Sequence, residues 1–337
     1  MSSLLIFLPV IILVVGIHHN GLLTSQDNNT LNEILTAKQF ISKKNMPKEI
    51  VWKAPDTAII NKENNAQLIR YGKQLIANTA YYLEPFGKIK HLSNGMNCQN
   101  CHLEVGTKAF GNYYGAVAAT FPKFRERSGI IETIQRRIND CFERSLNGKA
   151  LDSASKEMRA MVAYIKWVGK NVAKGEKPNG AGLKDLMFMD RAANPFNGKQ
   201  IYDLKCASCH AENGEGKTHA NKVTYQYPPL WGDYSYNHGA GLYRLSCFAA
   251  YVKYNMPLGA NYKNLQLNDE EAWNLAAFVN SQARPQKKFT SDWLIISMKP
   301  IDHPFAPYAD TFSETQHKCC PFEPIAQAKK NKQDDRT

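Results

Sequence analysis

The chain has 337 residues, 43% of them hydrophobic, which is enough for two ordinary cores plus extensions. Lysine and arginine number 42 against 30 aspartate and glutamate, a net charge of +12. No Lys/Arg-rich tract or nucleic-acid motif accompanies that excess, which excludes nucleic acid and favours a small anion or an acidic redox partner.

Leu4–Ile17 is almost wholly apolar, broken only by Pro9 and Gly16. It is short for a bilayer span and suits the core of a signal peptide. No charge precedes it and no clean cleavage site follows, so residues 1–25 read as a signal peptide or an uncleaved membrane anchor. Both send the body of the chain outward, to the periplasm. Residues 26–64 are polar, carry Pro47 and Pro55 and read as an extended arm on the domains behind it.

Residues 65–170 form the first domain. Ala66–Asn78 reads as an amphipathic helix with Leu68, Tyr71, Leu75 and Ile76 on one face. After a loop comes Cys98-Gln-Asn-Cys101-His102. Ser153–Lys170 is the next long helix, with Ser153 as its N-cap, Glu157 in the first turn and Met158, Met161, Val162, Ile165 and Val168 at helical spacing. Residues 171–194, rich in Lys, Gly, Asn and Asp, read as a linker.

The second domain, 195–284, repeats the layout. A helix from Asn197 leads directly into Cys206-Ala-Ser-Cys209-His210. Its last helix opens at Asn268, with Glu271 placed to close a capping box and Ala272, Leu275, Ala276 and Val279 as its stripe. Residues 285–337 form a proline-rich strap with Trp293, Phe305, Tyr308 and Phe322 interleaved. Its last ten residues are polar and read as disordered.

The pentapeptide C-x-x-C-H occurs in both domains. Two thiols at that spacing form thioethers to one porphyrin, and the histidine ligates iron: Cys98, Cys101 and His102 for one haem c, Cys206, Cys209 and His210 for another. Zinc needs four ligands, and neither pentapeptide has a second pair nearby. The fold class that follows is all-α, two class I cytochrome c-like domains with arm and strap. Covalent haem attachment happens in bacteria outside the cytoplasmic membrane, which agrees with export.

The sixth ligands separate the two domains. Met256, in a Met-Pro step before the last helix, is placed as a thioether ligand of the second iron. The first domain has no such step and offers Cys141 instead, since Met158 and Met161 fall in phase with the core stripe. Arg136, Arg137 and Arg144 flank Cys141, and Arg125 and Arg127 lie upstream. Positive charge favours thiolate, the form that ligates iron and attacks sulfur, and arginines also hold small dianions.

At Gly95–Leu103, at Arg137–Ser145 and at Gln316-His-Lys followed by Pro321-Phe, the chain resembles the dihaem thiosulfate dehydrogenases. The resemblance covers about residues 50–326. It implies an active-site haem held by His102 and Cys141 and an electron-exit haem held by His210 and Met256. It further implies that two thiosulfates join into tetrathionate, or the reverse, with Cys141 carrying the sulfur and electrons leaving to an acceptor such as a small cytochrome c. Arg125, Arg127, Arg137 and Arg144 would hold the anions and Ser145 would donate to a sulfonate oxygen. Two departures stand out. Asn255 replaces the lysine that some members place before the methionine, and Cys319-Cys320 interrupt the tail motif. The competing readings are a non-catalytic dihaem electron carrier and the haem subunit of a sulfur-oxidising multienzyme system. With Cys247, the tail pair also leaves a disulfide open.

Overall fold

The computed structural model describes residues 50–334 except 84–87, 90, 91, 93 and 221–223. The apolar segment at 4–17 and most of the arm lie outside the described residues. Among the described residues, no helix is long and apolar enough to cross a membrane.

The amino-terminal half is built on two crossing helices, α1 (Ala66–Ala77) and α3 (Lys156–Val168), with the short α2 (Ile134–Asp140) between them in sequence. The buried face of α1 is Ile69, Gly72, Leu75 and Ile76. Leu68 and Tyr71, which the periodicity also put inward, are only half-buried. The turn of the helix is set by Gly72: a methyl there would stand 1.9 Å from the Ala160 carbonyl oxygen on α3, so the backbones nearly touch. Ser155, not Ser153, caps α3, its hydroxyl accepting from the Met158 N–H at 3.2 Å. Ser155 is the residue with extended backbone just before the first helical turn, where an N-cap must stand. The expected stripe of α3 is buried, from Met158 through Val168.

The carboxy-terminal half repeats this crossing with α4 (Pro195–Lys205) and α6 (Asp269–Ser281), while α5 (Leu245–Asn255) packs on α6. Asn194 caps α4. The capping box at Asn268 and Glu271 is present, with mutual hydrogen bonds of 2.8 and 2.9 Å. Gly198 plays the part of Gly72, since a methyl there would lie 2.0 Å from the Asn274 oxygen. Tyr202, Trp273, Leu275 and Val279 fill the core beside it. Among the described residues, sheet is confined to two antiparallel ribbons, β1 (Lys123–Arg125) with β2 (Ile130–Glu132), and β3 (Lys217–Thr218) with β4 (Tyr225–Tyr227).

The two halves meet through α5. The Tyr251 hydroxyl donates to Asn100 O at 2.8 Å, and the Asn255 amide donates to Phe110 O at 3.0 Å. The strap is ordered over both. Asp302, almost fully buried, accepts from Arg244 and Ser246 at the start of α5. Helices α7 (Glu314–Cys319) and α8 (Glu323–Asp334) follow. The expectation of a disordered tail is therefore wrong as far as Asp334. Phe322 and Ile325 are buried at the start of α8, and Lys329 donates to Lys299 O at 2.8 Å, so a polar segment is anchored by its amino-terminal end.

The two glycine crossings yield a stability prediction. Gly198→Ala drives a methyl into backbone that has no rotamer to yield, and is expected to cost about 1–3 kcal/mol, the range for overpacking a core. Gly241→Ala is the control, because a methyl there meets nothing within 4 Å. Urea midpoints for the two variants check this. Equal midpoints would mean that the crossing has slack.

Candidate active centre at Cys141 and its partner site

His102 and His210 are prepared in the same way. The Nδ1 of His102 lies 2.7 Å from Asn112 O, and that of His210 lies 2.8 Å from Pro228 O. The main-chain carbonyl accepts a hydrogen bond from Nδ1–H, which leaves Nε2 as the nitrogen with a lone pair to offer. Tyr114 stacks on His102 with ring centroids 4.6 Å apart.

The His102 Nε2 faces the Cys141 Sγ at 3.9 Å. Typical nitrogen and sulfur bonds to a first-row metal add to about 4.3 Å, so the spacing is also compatible with both atoms serving one metal ion. Both line a cavity of about 180 Å³ with Cys98, Cys101, Arg137 and Ser145. The second cavity, about 690 Å³, is lined by Cys206, Cys209, His210 and Met256. It has the size of a cofactor pocket, about 300–1,000 Å³; the smaller one falls below that range, and its fit rests on its donor set. Cys101 lines both cavities. Among the described residues, no three His, Cys, Asp or Glu side chains converge, so neither pentapeptide has the cage of a structural zinc site.

Cys141 begins a π-turn, Cys141–Ser145, that continues α2. Burial pushes its thiol up, but Arg137 and the hydrogen bond and charge of His102 outweigh burial, and the pKa falls to about 7. Arg137 Nη1 lies 3.2 Å from Sγ, and the arginine's own pKa is raised, chiefly by Cys141. By contrast, burial pushes Cys247, Cys319 and Cys320 up. No disulfide links Cys247, Cys319 and Cys320 in this structure.

The remaining arginines divide. Arg127 is pushed down to about 10, by burial first and then by Arg144 and Arg137. Arg125 is lowered by burial and by Arg137. Lys123 is lowered by burial and then by Arg125, Lys177 and Arg137. Cations that depress one another this way form an under-compensated positive cluster. Lys123 and Lys177 were not picked out from sequence, although Lys123, Arg125 and Arg127 alternate with the period of a strand. Buried Glu132 is the local counter-charge, accepting from the Ser128 hydroxyl at 2.6 Å with Arg125 Nε 3.9 Å away. Arg136 is exposed. Arg144 departs from the expectation of an anion-binding role: it is buried, forks onto Asp292 at 2.7 and 2.8 Å, and lies 3.7 Å from the Phe289 ring centroid. Asp292 offsets part of its charge and ties it to the strap.

Two crossed-helix halves, each placing C-x-x-C-H beside a cavity, define a cytochrome c of two domains. The SoxA/TsdA cytochrome c domain matches residues 88–173, and the general cytochrome c domain matches 196–283. The chain is 37% identical over 244 residues to the thiosulfate dehydrogenase of Psychrobacter arcticus, covering 72% of this chain and 71% of the relative. To the thiosulfate dehydrogenase of Allochromatium vinosum it is 34% identical over 255 residues, covering 74% and 91%. The solved thiosulfate dehydrogenase (TsdBA) of Marichromatium purpuratum, in its "as isolated" form, superposes with a TM-score of 0.64 at 29% identity, covering 71% of this chain. The match spans about half, 51%, of that longer solved chain. The chain belongs to the thiosulfate dehydrogenase family, a group of oxidoreductases, and its two domains correspond to two haem c groups.

Proposed function

We propose that the protein joins two thiosulfates into tetrathionate, a reaction the same site can run in reverse, and that Cys141 is the nucleophile. The observation that carries this reading is the Cys141 thiol between the His102 Nε2 at 3.9 Å and the Arg137 guanidinium at 3.2 Å, with its pKa lowered. His102 and Cys141 would hold the first haem iron, and His210 and Met256 the second, with Cys98, Cys101, Cys206 and Cys209 as the thioether residues. When bound, haem c would supply one-electron redox chemistry at each site, and an acceptor such as a small cytochrome c would take the two electrons released per tetrathionate by way of the second domain.

The chain's own residues do the rest. The Cys141 thiolate forms a sulfur–sulfur bond to the outer sulfur of one thiosulfate, with loss of two electrons. A second thiosulfate attacks that outer sulfur, the bond to Cys141 breaks, and its electron pair returns to the thiolate. Two dianions must approach, and Arg137, Arg127 and Arg125 with Lys123 hold them there. Ser145, which lines the same cavity, donates to a sulfonate oxygen. The Tyr251–Asn100 contact and the shared wall at Cys101 support transfer between the domains. Export to the periplasm, by a cleaved signal or an anchor at residues 1–25, completes the reading.

The direct test is to incubate holoprotein with thiosulfate and ferricyanide and to assay tetrathionate. Reduction of ferricyanide without that product would overturn the reaction as written. For the second site, Met256→Gly is expected to lower the potential of one haem and slow reduction of the acceptor, while thiosulfate still perturbs the other. An unchanged redox titration would remove Met256 from the ligand set.

A further inference from the structure

The turn that carries Cys141 is held largely from the other domain. A π-turn closes with wider hydrogen bonds than an α-helix and stands at a helix end, where carbonyls lack partners within the helix. Leu146 N–H closes this one onto Cys141 O at 3.0 Å. Locally, Asn147 N–H donates to Arg144 O at 3.4 Å and Gly148 N–H to Phe142 O at 2.8 Å. Three carbonyls in and just after the turn, those of Glu143, Arg144 and Gly148, also accept from donors of the second domain and the strap. The Asn237 backbone N–H donates to Arg144 O at 3.1 Å. Its side-chain amide donates to Glu143 O and to Asn147 Oδ1, both at 2.9 Å. The Lys287 ammonium donates to Gly148 O at 2.7 Å and to Glu143 O at 3.3 Å. Asn237 is fully buried, and its own Oδ1 accepts from Gly239 N–H at 3.0 Å, so the amide is held in one orientation.

We propose that Asn237, seconded by Lys287, is a positioning residue for Cys141: the second domain fixes the turn that aims the sulfur at His102. The proposal rests on the reading of Cys141 as ligand and nucleophile, and deepens it. Neither residue lines the Cys141 cavity, so neither acts on the substrate directly. Of these carbonyls Arg144 O keeps a local donor, but Glu143 O would lose both of its donors of the second domain and strap, and a carbonyl without a donor seeks another. Rearranging those bonds changes the register of the turn and swings its first residue, Cys141. The second domain is then part of the active centre as well as the way out for electrons.

The test uses holoprotein carrying Asn237→Ala, Lys287→Met or Cys141→Gly. The readouts are the electron paramagnetic resonance of the ferric haems and steady-state turnover. Both positioning variants are expected to shift or split the signal of the first haem and leave that of the second intact. They should lower kcat by about 10–100-fold, the usual cost of losing a group that orients a ligand, with KM little changed. A lower melting temperature with both signals and kcat unchanged would make the contacts merely structural and overturn the proposal. If Asn237→Ala fails to yield holoprotein, Lys287→Met decides on the same criteria. Cys141→Gly separates the two claims. If it leaves the first signal unaltered, the ligand reading fails, and the proposal with it. If it alters that signal while the positioning variants do not, only the proposal fails.

Discussion

Cys141→Gly is expected to give a folded chain with both haems in place and thiosulfate oxidation reduced on the order of 10³-fold or more, the scale of losing a catalytic nucleophile. Folding should survive because Cys141 is only half-buried and the bonds that hold its turn do not use its side chain. Haem attachment should survive because it depends on Cys98 and Cys101. The reaction should not survive, because Cys98 and Cys101, which share the cavity, are spoken for as thioether residues and no further described cysteine lines it. Cys247, Cys319 and Cys320 are pushed towards the neutral thiol by burial. Initial rates with ferricyanide, beside a pyridine haemochrome count of two haems per chain, check both halves of the statement. Near-normal turnover with two haems would end the covalent mechanism.

Arg137→Gln is expected to be nearly as severe, with kcat/KM falling about 10²–10³-fold, the range for deleting one aimed donor at a charged centre. Two losses combine. The guanidinium 3.2 Å from the Cys141 sulfur is the largest influence lowering that thiol's pKa, and without it burial dominates. Arg137 is also the arginine, among the described residues, that lines the Cys141 cavity. Arg137→Lys separates the two, since it restores the charge without the planar fork. It should recover much of the thiolate and little of the anion orientation. Thiosulfate titrations followed by haem absorbance, run beside turnover, check the split. Equal activity in the glutamine variant would remove Arg137 from the mechanism.

Much of this was legible in the chain, because a haem motif and a helix cap are local patterns. The two pentapeptides, the box at Asn268 and Glu271 and the stripe of α3 each lie within a few residues, and each stands in the structure. What escaped depends on distant partners. Arg144 reads as one more anion-binding arginine until Asp292 comes to it from 148 positions away. Asn237 looks like any loop asparagine, and its value appears only when Glu143 O, 94 positions back, is found beneath it. The tail shows the same limit at shorter range. Its composition is that of a free end, but two buried side chains at the start of α8 outweigh the polar residues after them. Ser153 and Ser155 differ only in which one the chain enters with extended backbone, a choice made by the crossing of α1 and α3.

The carbonyls behind His102 and His210 have a consequence for how the two domains can diverge. Asn112 O and Pro228 O belong to the main chain, so no point substitution deletes them. Whatever these partners contribute to the two histidines is common to both domains and shielded from side-chain mutation. On the proposed reading, divergence would then fall on the residues facing each histidine, Cys141 and its neighbours in one domain and Met256 in the other. One template would in that way serve both a catalyst and a conduit, and redesign would leave the histidines and their carbonyl partners alone.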